Sequence, residues 1–382
     1  MGYSLPYILF CTFLGVMAVL HYDTINPEVR NKISTLCILV FLIFFGCRGL
    51  VFDDWLNYYP TFTSATWSSI TLFPGKDWQM EVGFSILLML CKSIVNNFSF
   101  FVFTCATINT YLLVRFLSRR ISNIPLGIMI YICMGGLVMS TNLMRNSIAI
   151  LLFINSLEYI EERRPIRYFS ICTLAFTFHI SSAFYFPQYF ILNRQYNKWL
   201  FISLFTIGNL ILLFHISIFS PIVNNIGGNL NPDILNKAQD YTNMETNGGF
   251  NISIGYIERL FTGILVFLYM DKLIERRKEN IVFINSLLLY FLMIFIFSEL
   301  EELSKRMSNL FIYAYWILWY DLIKIFFHKN NRRLFIIFIY VYCILKIWGT
   351  ARYITAEYDN VLFGAKSYTQ RIYLYNRNNI DN

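Results

Sequence analysis

"FFGCRGLVFDDWLNYYPTF", residues 44–62, closes an apolar run that opens near residue 31 and then meets Arg48, Asp53, Asp54 and a cluster of aromatics. The run before Arg48 approaches the length of about 20 residues that an apolar helix needs to cross the hydrocarbon core of a bilayer. A charge at the mouth of such a span is costly unless it meets water, a partner or a ligand. A membrane span with a loaded mouth is therefore the first reading. The rest of the chain repeats the pattern.

Of 382 residues, 57% are hydrophobic, 19% aromatic and only 14% charged, with a mean hydropathy of +0.51. A soluble domain carries roughly 25% charged residues. Apolar runs recur from 3–21 to 333–350, about twelve segments of bilayer length. The first, "YSLPYILFCTFLGVMAVLHY", lacks a basic leader and a small-residue cleavage site, and reads as a retained span. The net charge of +8 resides in short clusters between apolar runs, "RFLSRR", "EERRPIR", "NRQYNK", "DKLIERRKEN" and "HKNNRR". That is the signature of cytoplasmic loops and not of nucleic-acid binding. The eight cysteines lie in or beside apolar runs with no C-x-x-C pair and read as small buried hydrophobes. No His/carboxylate spacing suggests a metal site, so no cofactor is expected.

The organisation expected is one membrane domain over 1–350, with external loops at about 48–80 and 220–252, then a C-terminal tail, 351–382. Both loops are poor in basic residues, which favours the outer face. Counting crossings fails at two places. The stretch "RYFSICTLAFTFHISSAFYFPQYFILNR", 167–194, is long enough to enter and return, hinged near His179 to Pro187; 81–96 is short, carries Lys92 and is not expected to span fully. Irregular backbone at membrane depth is tolerated only where it lines protein or a water-filled cavity, so both are candidate cavity walls.

Ionisable residues in or beside spans are functional candidates. Arg145, in "STNLMRNSIAILLFINSLEYI", stands inside a span, and Arg306 opens "RMSNLFIYAYWILWY". Arg48 is flanked by Gly46 and Gly49, which permit close backbone approach. His179, Asp54, Glu81 and the Glu258/Arg259 pair complete the set, with Trp55 and Tyr58 among the nearby aromatics. Arginine's planar fork suits phosphate oxygens, and aromatics suit interfacial depth and sugar faces. An anionic, sugar-bearing lipid would satisfy the whole set.

These residues resemble a known pattern. "RGLVFDDWLNYY" is similar to the R-x(n)-G-x-D-Y-x-x-Y stretch of the EpsG-like, Wzy-type O-antigen and capsular polysaccharide polymerases, with Asp54, Trp55 and Tyr58 on the Asp, the aromatic and the second Tyr. "EVGF" resembles E-x-G-F at Glu81. "MRNSIAI" resembles R-Q-x-x-A-x at Arg145, "LAFTFHISSAF" resembles A-x-x-x-H-x-S-A at His179, and "KRMSNLFIYAYW" resembles R-x-x-x-Y-F at Arg306. "KAQDYTN" and "GGFNISIGYIERL" look like the polar loop and the span after it. The chain departs from the pattern with Phe52 for Gly, Trp55 for Tyr, Asn146 for Gln and Leu310 for Tyr.

The resemblance implies an all-α, polytopic, glycosyltransferase-C-like membrane fold with about 11–13 transmembrane or re-entrant helices. It implies an enzyme of the bacterial inner membrane that joins undecaprenyl-diphosphate-linked oligosaccharide units at the periplasmic face, building O-antigen, capsule or exopolysaccharide. Its partners are then that lipid-linked oligosaccharide, the lipid bilayer and, as a candidate, a chain-length regulator. Such a reaction needs fixed cations for the departing diphosphate and a base for the incoming hydroxyl. Arg48, Arg145 and Arg306 are the cation candidates, with Arg259, Tyr58 and Trp55 as further substrate contacts. Asp54 and His179 are the candidate bases, Glu81 joins them as a catalytic candidate, and sequence does not choose between the two bases. A transporter or flippase of lipid-linked saccharide is the alternative, although no internal repeat supports it.

Overall fold

A computed structural model of the chain describes residues 2–71, 80–214, 216 and 253–381. The outer loop expected at 220–252, the "FPGKDW" stretch and "KAQDYTN" lie outside the described residues. The architecture is all-α. Five helical runs are long and apolar enough to cross a membrane by length and composition: 5–23, 27–46, 98–120, 124–141 and 329–350. This is a polytopic membrane fold.

The chain forms two compact units, residues 1–189 with 327–382, and residues 190–326. The first holds α1 (Leu5–Asp23), α2 (Pro27–Gly46), α3 (Trp55–Ser64), α4 (Val82–Ile94), α5 (Phe98–Arg120), α6 (Ile124–Tyr131), α7 (Leu137–Thr141), α8 (Met144–Glu161) and α9 (Pro165–Phe178). A single turn, α10 (Gln188–Ile191), follows. The second unit holds α11 (Lys198–Leu213), α12 (Ile254–Arg276), α13 (Asn280–Ile296), α14 (Glu301–Asn309) and α15 (Tyr313–Ile325). The chain then returns to the first unit as α16 (Lys329–Thr350) and α17 (Tyr368–Asp381).

Asparagine starts several of these helices. Asn26, Asn97, Asn123 and Asn197 each accept a backbone N–H from the first turn of α2, α5, α6 and α11. Such a cap satisfies one of the four orphan donors at a helix start. In hydrocarbon, packing and interhelical hydrogen bonds hold helices together. Between α5 and α8, Asn109 donates to Ser147 Oγ at 2.9 Å and Asn155 donates to the Leu112 carbonyl at 2.9 Å. Each such bond contributes about 0.6 kcal/mol.

The two places where the sequence count failed are a short helix and a broken one. α4 has 13 residues, about 20 Å at 1.5 Å per residue, short of the roughly 30 Å core. α9 ends at Phe178; His179 is extended (φ −157°, ψ 128°) and a 3₁₀ segment, Ile180–Tyr185, follows. A third interruption is absent from the sequence reading. The apolar run 124–141 breaks between α6 and α7, where Met134 leaves the helical region and Gly135 has φ 88°. The Tyr131 and Ser140 hydroxyls meet across that break at 3.0 Å.

The two ends of α5 differ in chemistry. Near Phe98, Tyr59 packs edge-on at 5.2 Å and Phe62 stacks on Phe101 at 5.8 Å, so α3 lies at this end. At the other end, Arg115 and Arg119 share Glu158, and Arg120 pairs with Glu161 at 2.8 Å. The helix between them is 23 residues long, about 34 Å.

In the second unit, α13 packs against α11, α14 and α15, and α12 against α15. Trp316 and Trp319 are fully buried. Asp321, also fully buried, takes Arg276 Nε at 3.1 Å and is ion-paired with Arg277. One buried carboxylate is thus shared by the two arginines of the "DKLIERRKEN" cluster.

Candidate active site

Glu81 is the centre of the site. It sits immediately before the first residue of α4, in extended conformation (ψ 148°), and does not cap its own helix. Its carboxylate points instead toward α8 and the end of α9. Oε2 accepts from Arg145 Nη1 at 2.7 Å; Oε1 accepts the Ile180 N–H at 3.1 Å and lies 3.0 Å from His179 Nδ1. With a carboxylate as acceptor, Nδ1 carries the hydrogen and Nε2 is left for another partner.

The local sequence explains the convergence. In "EVGF", Gly83 lies against α9: a Cβ there would collide with the Thr177 side chain and come within 2.9 Å of the Thr177 carbonyl oxygen. Phe84, fully buried, packs on Tyr58 at 5.6 Å and Phe101 at 5.4 Å. Glycine lets the first turn of α4 touch the last turn of α9, phenylalanine seats it, and Glu81 reaches His179. His179 is presented there because the helix stops: its N–H still bonds the Ala175 carbonyl at 3.0 Å, while its backbone turns extended.

Arg145 lies in the first turn of α8, just past the gap that separates it from α7. Its Nε donates to the Tyr58 hydroxyl at 3.3 Å, and its guanidinium stands 5.7 Å from the centre of the Tyr58 ring. Tyr58 is 4% exposed. The side chains of Arg145 and His179 keep 24% and 25% exposure, whereas Glu81 keeps 9%. The carboxylate is thus shielded and its two partners are accessible. Burial alone would raise the Glu81 carboxyl, but the His179 hydrogen bond and the Arg145 charge outweigh it and bring the group down to about 2.

The structure brings Tyr58, Glu81, Arg145 and His179 together. Asp54 stands at the head of α3, where its N–H donates to Asn142 Oδ1 at 2.7 Å, beside the 3.2 Å bond from the Asp53 N–H. Trp55 is buried and its Nε1 donates to the Phe52 carbonyl at 2.7 Å. Arg48 is 5% exposed and donates to the carbonyls of Phe45 (3.0 Å) and Thr141 (2.9 Å); burial lowers its guanidinium to about 10. Arg259 and Arg306 belong to the second unit. Arg306 is exposed in the last turn of α14. Arg259 is half-buried on α12 beside Glu258, which accepts the Thr262 hydroxyl at 2.7 Å, while Trp319 Nε1 donates to Thr262 at 3.1 Å.

Two residues escaped the sequence reading. Asn142, in the gap between α7 and α8, ties the Asp53–Asp54 turn to the start of the Arg145 helix. Ser181 donates to Asn146 Oδ1 at 3.4 Å and links the segment after His179 to α8. The polar Asn142 between the apolar run before it and Met144 was the available signal for the first.

A polytopic helical membrane protein with an arginine–carboxylate–histidine cluster at interrupted helices is the class that this fold and site define. The chain belongs to the EpsG family, whose model matches residues 32–362, a family of Wzy-like polysaccharide polymerases of exopolysaccharide biosynthesis. No curated protein and no solved structure matches the chain. The matched span contains Tyr58, Glu81, Arg145 and His179. Phe52, where the pattern has glycine, is one of two non-glycine residues with positive φ among those described, at 62°.

Proposed function

We propose that this protein is a bacterial inner-membrane polymerase. It joins undecaprenyl-diphosphate-linked oligosaccharide repeat units at the periplasmic face in the synthesis of O-antigen, capsule or exopolysaccharide. The observation that carries this reading is the Glu81 carboxylate, which holds a fixed cation and an oriented imidazole side by side. The acceptor sugar hydroxyl gives its proton to His179 Nε2, and its oxygen attacks the anomeric carbon of the donor. The bond from that carbon to the diphosphate oxygen breaks, and the diphosphate leaves with the electron pair. Arg145 meets the charge that develops there without having to reorganise. Glu81 keeps the imidazole in the right tautomer and stabilises the imidazolium, as a carboxylate does beside a catalytic histidine.

Of the two candidate bases we favour His179, because a carboxylate fixes its orientation. Asp54, at the head of α3, is placed by this proposal against the sugar, and Trp55, buried with its Nε1 on the Phe52 carbonyl, braces that turn. Arg306 and Arg259 lie in the second unit and take no part in this assignment. Arg48, bound to two carbonyls, acts as an anchor of the α2 end. The outward orientation is supported by α5 and α8, which carry the candidate site at one end and the arginine cluster of Arg115, Arg119 and Arg120 at the other. Basic ends remain cytoplasmic, which directs the site outward.

Polymerisation of lipid-linked units in membranes tests the assignment. Arg145→Ala is expected to lower the rate by about 10²–10³, by analogy with a lost oxyanion donor. His179→Ala and Glu81→Gln should fall by about 10²–10⁴, the range for general base catalysis. Normal chain extension by all three variants at normal expression rules the assignment out. Cells lacking the protein should display single-unit glycan outside; lipid-linked units trapped inside would point to a flippase instead.

A further inference from the structure

Residues 351–377 return to the mouth of α2 and α3. Three backbone hydrogen bonds lay 355–361 antiparallel to 47–52: Gly49 N–H to the Asp359 carbonyl (3.0 Å), Phe52 N–H to Thr355 (2.8 Å) and Val361 N–H to Cys47 (2.8 Å). A buried charge knot fastens this segment. Arg371, 3% exposed, donates through Nη2 to the Glu357 carbonyl at 2.7 Å and stands 3.0 Å from Asp359 Oδ2. Lys366 Nζ takes Glu357 Oε1 at 2.9 Å. Beyond the knot, Tyr368 stacks on Tyr59, with ring centres 4.4 Å apart and planes 15° apart, and meets Trp55 edge to face at 5.6 Å.

α3 depends on such support. It has ten residues, a proline at position 60 and no side-chain cap at Asp54. A helix this short is marginal alone, so its orientation comes from what packs on it. One side is the apolar cluster of Phe62, Phe84 and Phe101; Tyr368 and Ile372 pack on the same cluster. Tyr58, which the Arg145 guanidinium leans on, is the neighbour of Tyr59. α17 begins at residue 368, beyond the family match that ends at 362.

We propose that the segment 351–377 is a positioning strap for the candidate site, with Tyr368 as its principal contact. It sets the pitch of α3, hence the Tyr58 hydroxyl and the Arg145 guanidinium, so that a polyprenyl diphosphate is gripped tightly only with the strap closed. The ligand class rests on the polymerase reading above; the strap itself rests on the contacts just described.

The test is the affinity of the full chain, in lipid nanodiscs, for undecaprenyl diphosphate, measured well below the thermal midpoint of each variant. Tyr368→Ala is expected to weaken binding up to about tenfold, the equivalent of one aromatic stack, in protein that remains folded at the assay temperature. Tyr368→Phe keeps the stack and should bind as the original chain does. Gly49→Ala attacks the strap from the other side, since a Cβ there would come within 2.8 Å of Asp359 Cγ, and should give the same loss. Should Tyr368→Ala fail to fold, Tyr368→Leu, which fills the space without the ring, replaces it. If Arg145→Ala loses affinity while Tyr368→Ala and Gly49→Ala bind normally, the strap is overturned and the site reading stands. If the unaltered chain does not bind the lipid, the polymerase reading falls and takes this proposal with it.

Discussion

Phe52 holds a left-handed backbone, φ 62°, while its ring is 9% exposed and packs beside Tyr7 at 6.3 Å. A side chain in that region costs about 1–2 kcal/mol, which glycine does not incur. Phe52→Ala loses the ring and keeps the strain; Phe52→Gly loses the ring and the strain together. The glycine variant should therefore be the more stable of the two by about 1 kcal/mol, read as the difference in thermal midpoint in detergent. Glu81 makes a pH prediction. Its folded value of about 2 lies below its ordinary 4.5, so its contribution is fully present above about pH 4.5 and is lost as the pH falls toward 2. The stability gap between the original chain and Glu81→Gln should shrink over that window; a gap independent of pH would deny the ion pairs their role. At this scale the sequence was informative where charge sat at the wrong depth, as with Arg145 and His179. It marked Asn142 only as a polar residue beside an apolar run; that its side chain accepts two backbone N–H groups 88 and 89 residues away in the chain leaves no local pattern.

Elements converge on the site by stopping early. α9 ends at Phe178, α7 and α8 part at Asn142–Leu143, and α4 begins at Val82; the candidate residues stand at these ends. An unbroken helix would bury such side chains along its length, whereas an end can aim them. Gly83 is the position on which α4 pivots against α9. Gly83→Ala drives a methyl into Thr177, and overpacking of this kind costs about 1–3 kcal/mol. The variant should fold with a lowered thermal midpoint and lose polymerisation beyond what its folded fraction explains, because Glu81 is displaced from His179. Normal activity per folded molecule would show that the α4–α9 contact does not position the carboxylate. The short helix at 81–96 and the break at His179 were foreseeable from segment length, since neither stretch fits a simple crossing. The α6–α7 break was not, because "IPLGIMIYICMGGLVMST" is uniformly apolar and hydropathy does not register a glycine at φ 88°.

For the molecule as a whole, α5 sets a ruler between the Tyr58 end and the Arg119 end, about 34 Å for 23 residues. Seven of the eight free cysteines are buried, so an added surface cysteine can be labelled over a low background. Asn57→Cys, exposed on α3, should react with a membrane-impermeant maleimide applied to the outer side of the inner membrane, and Arg163→Cys, also exposed, should not. Labelling of Arg163→Cys alone would reverse the proposed orientation, and labelling of both would deny that the two positions lie on opposite faces. Composition and basic clusters made the membrane class readable from sequence; the packing of residues 351–377 was not, because pairing between distant segments leaves no local pattern. That pairing has a consequence in time. Tyr358 reaches back 314 residues to Phe44, and Ala356 receives Tyr7 across 349. At about 5–20 residues per second, the ribosome has been extending the chain for roughly 15–60 seconds before the partners of α2 emerge. For that interval a nascent protein already threaded through the bilayer has no finished mouth at the end of α2.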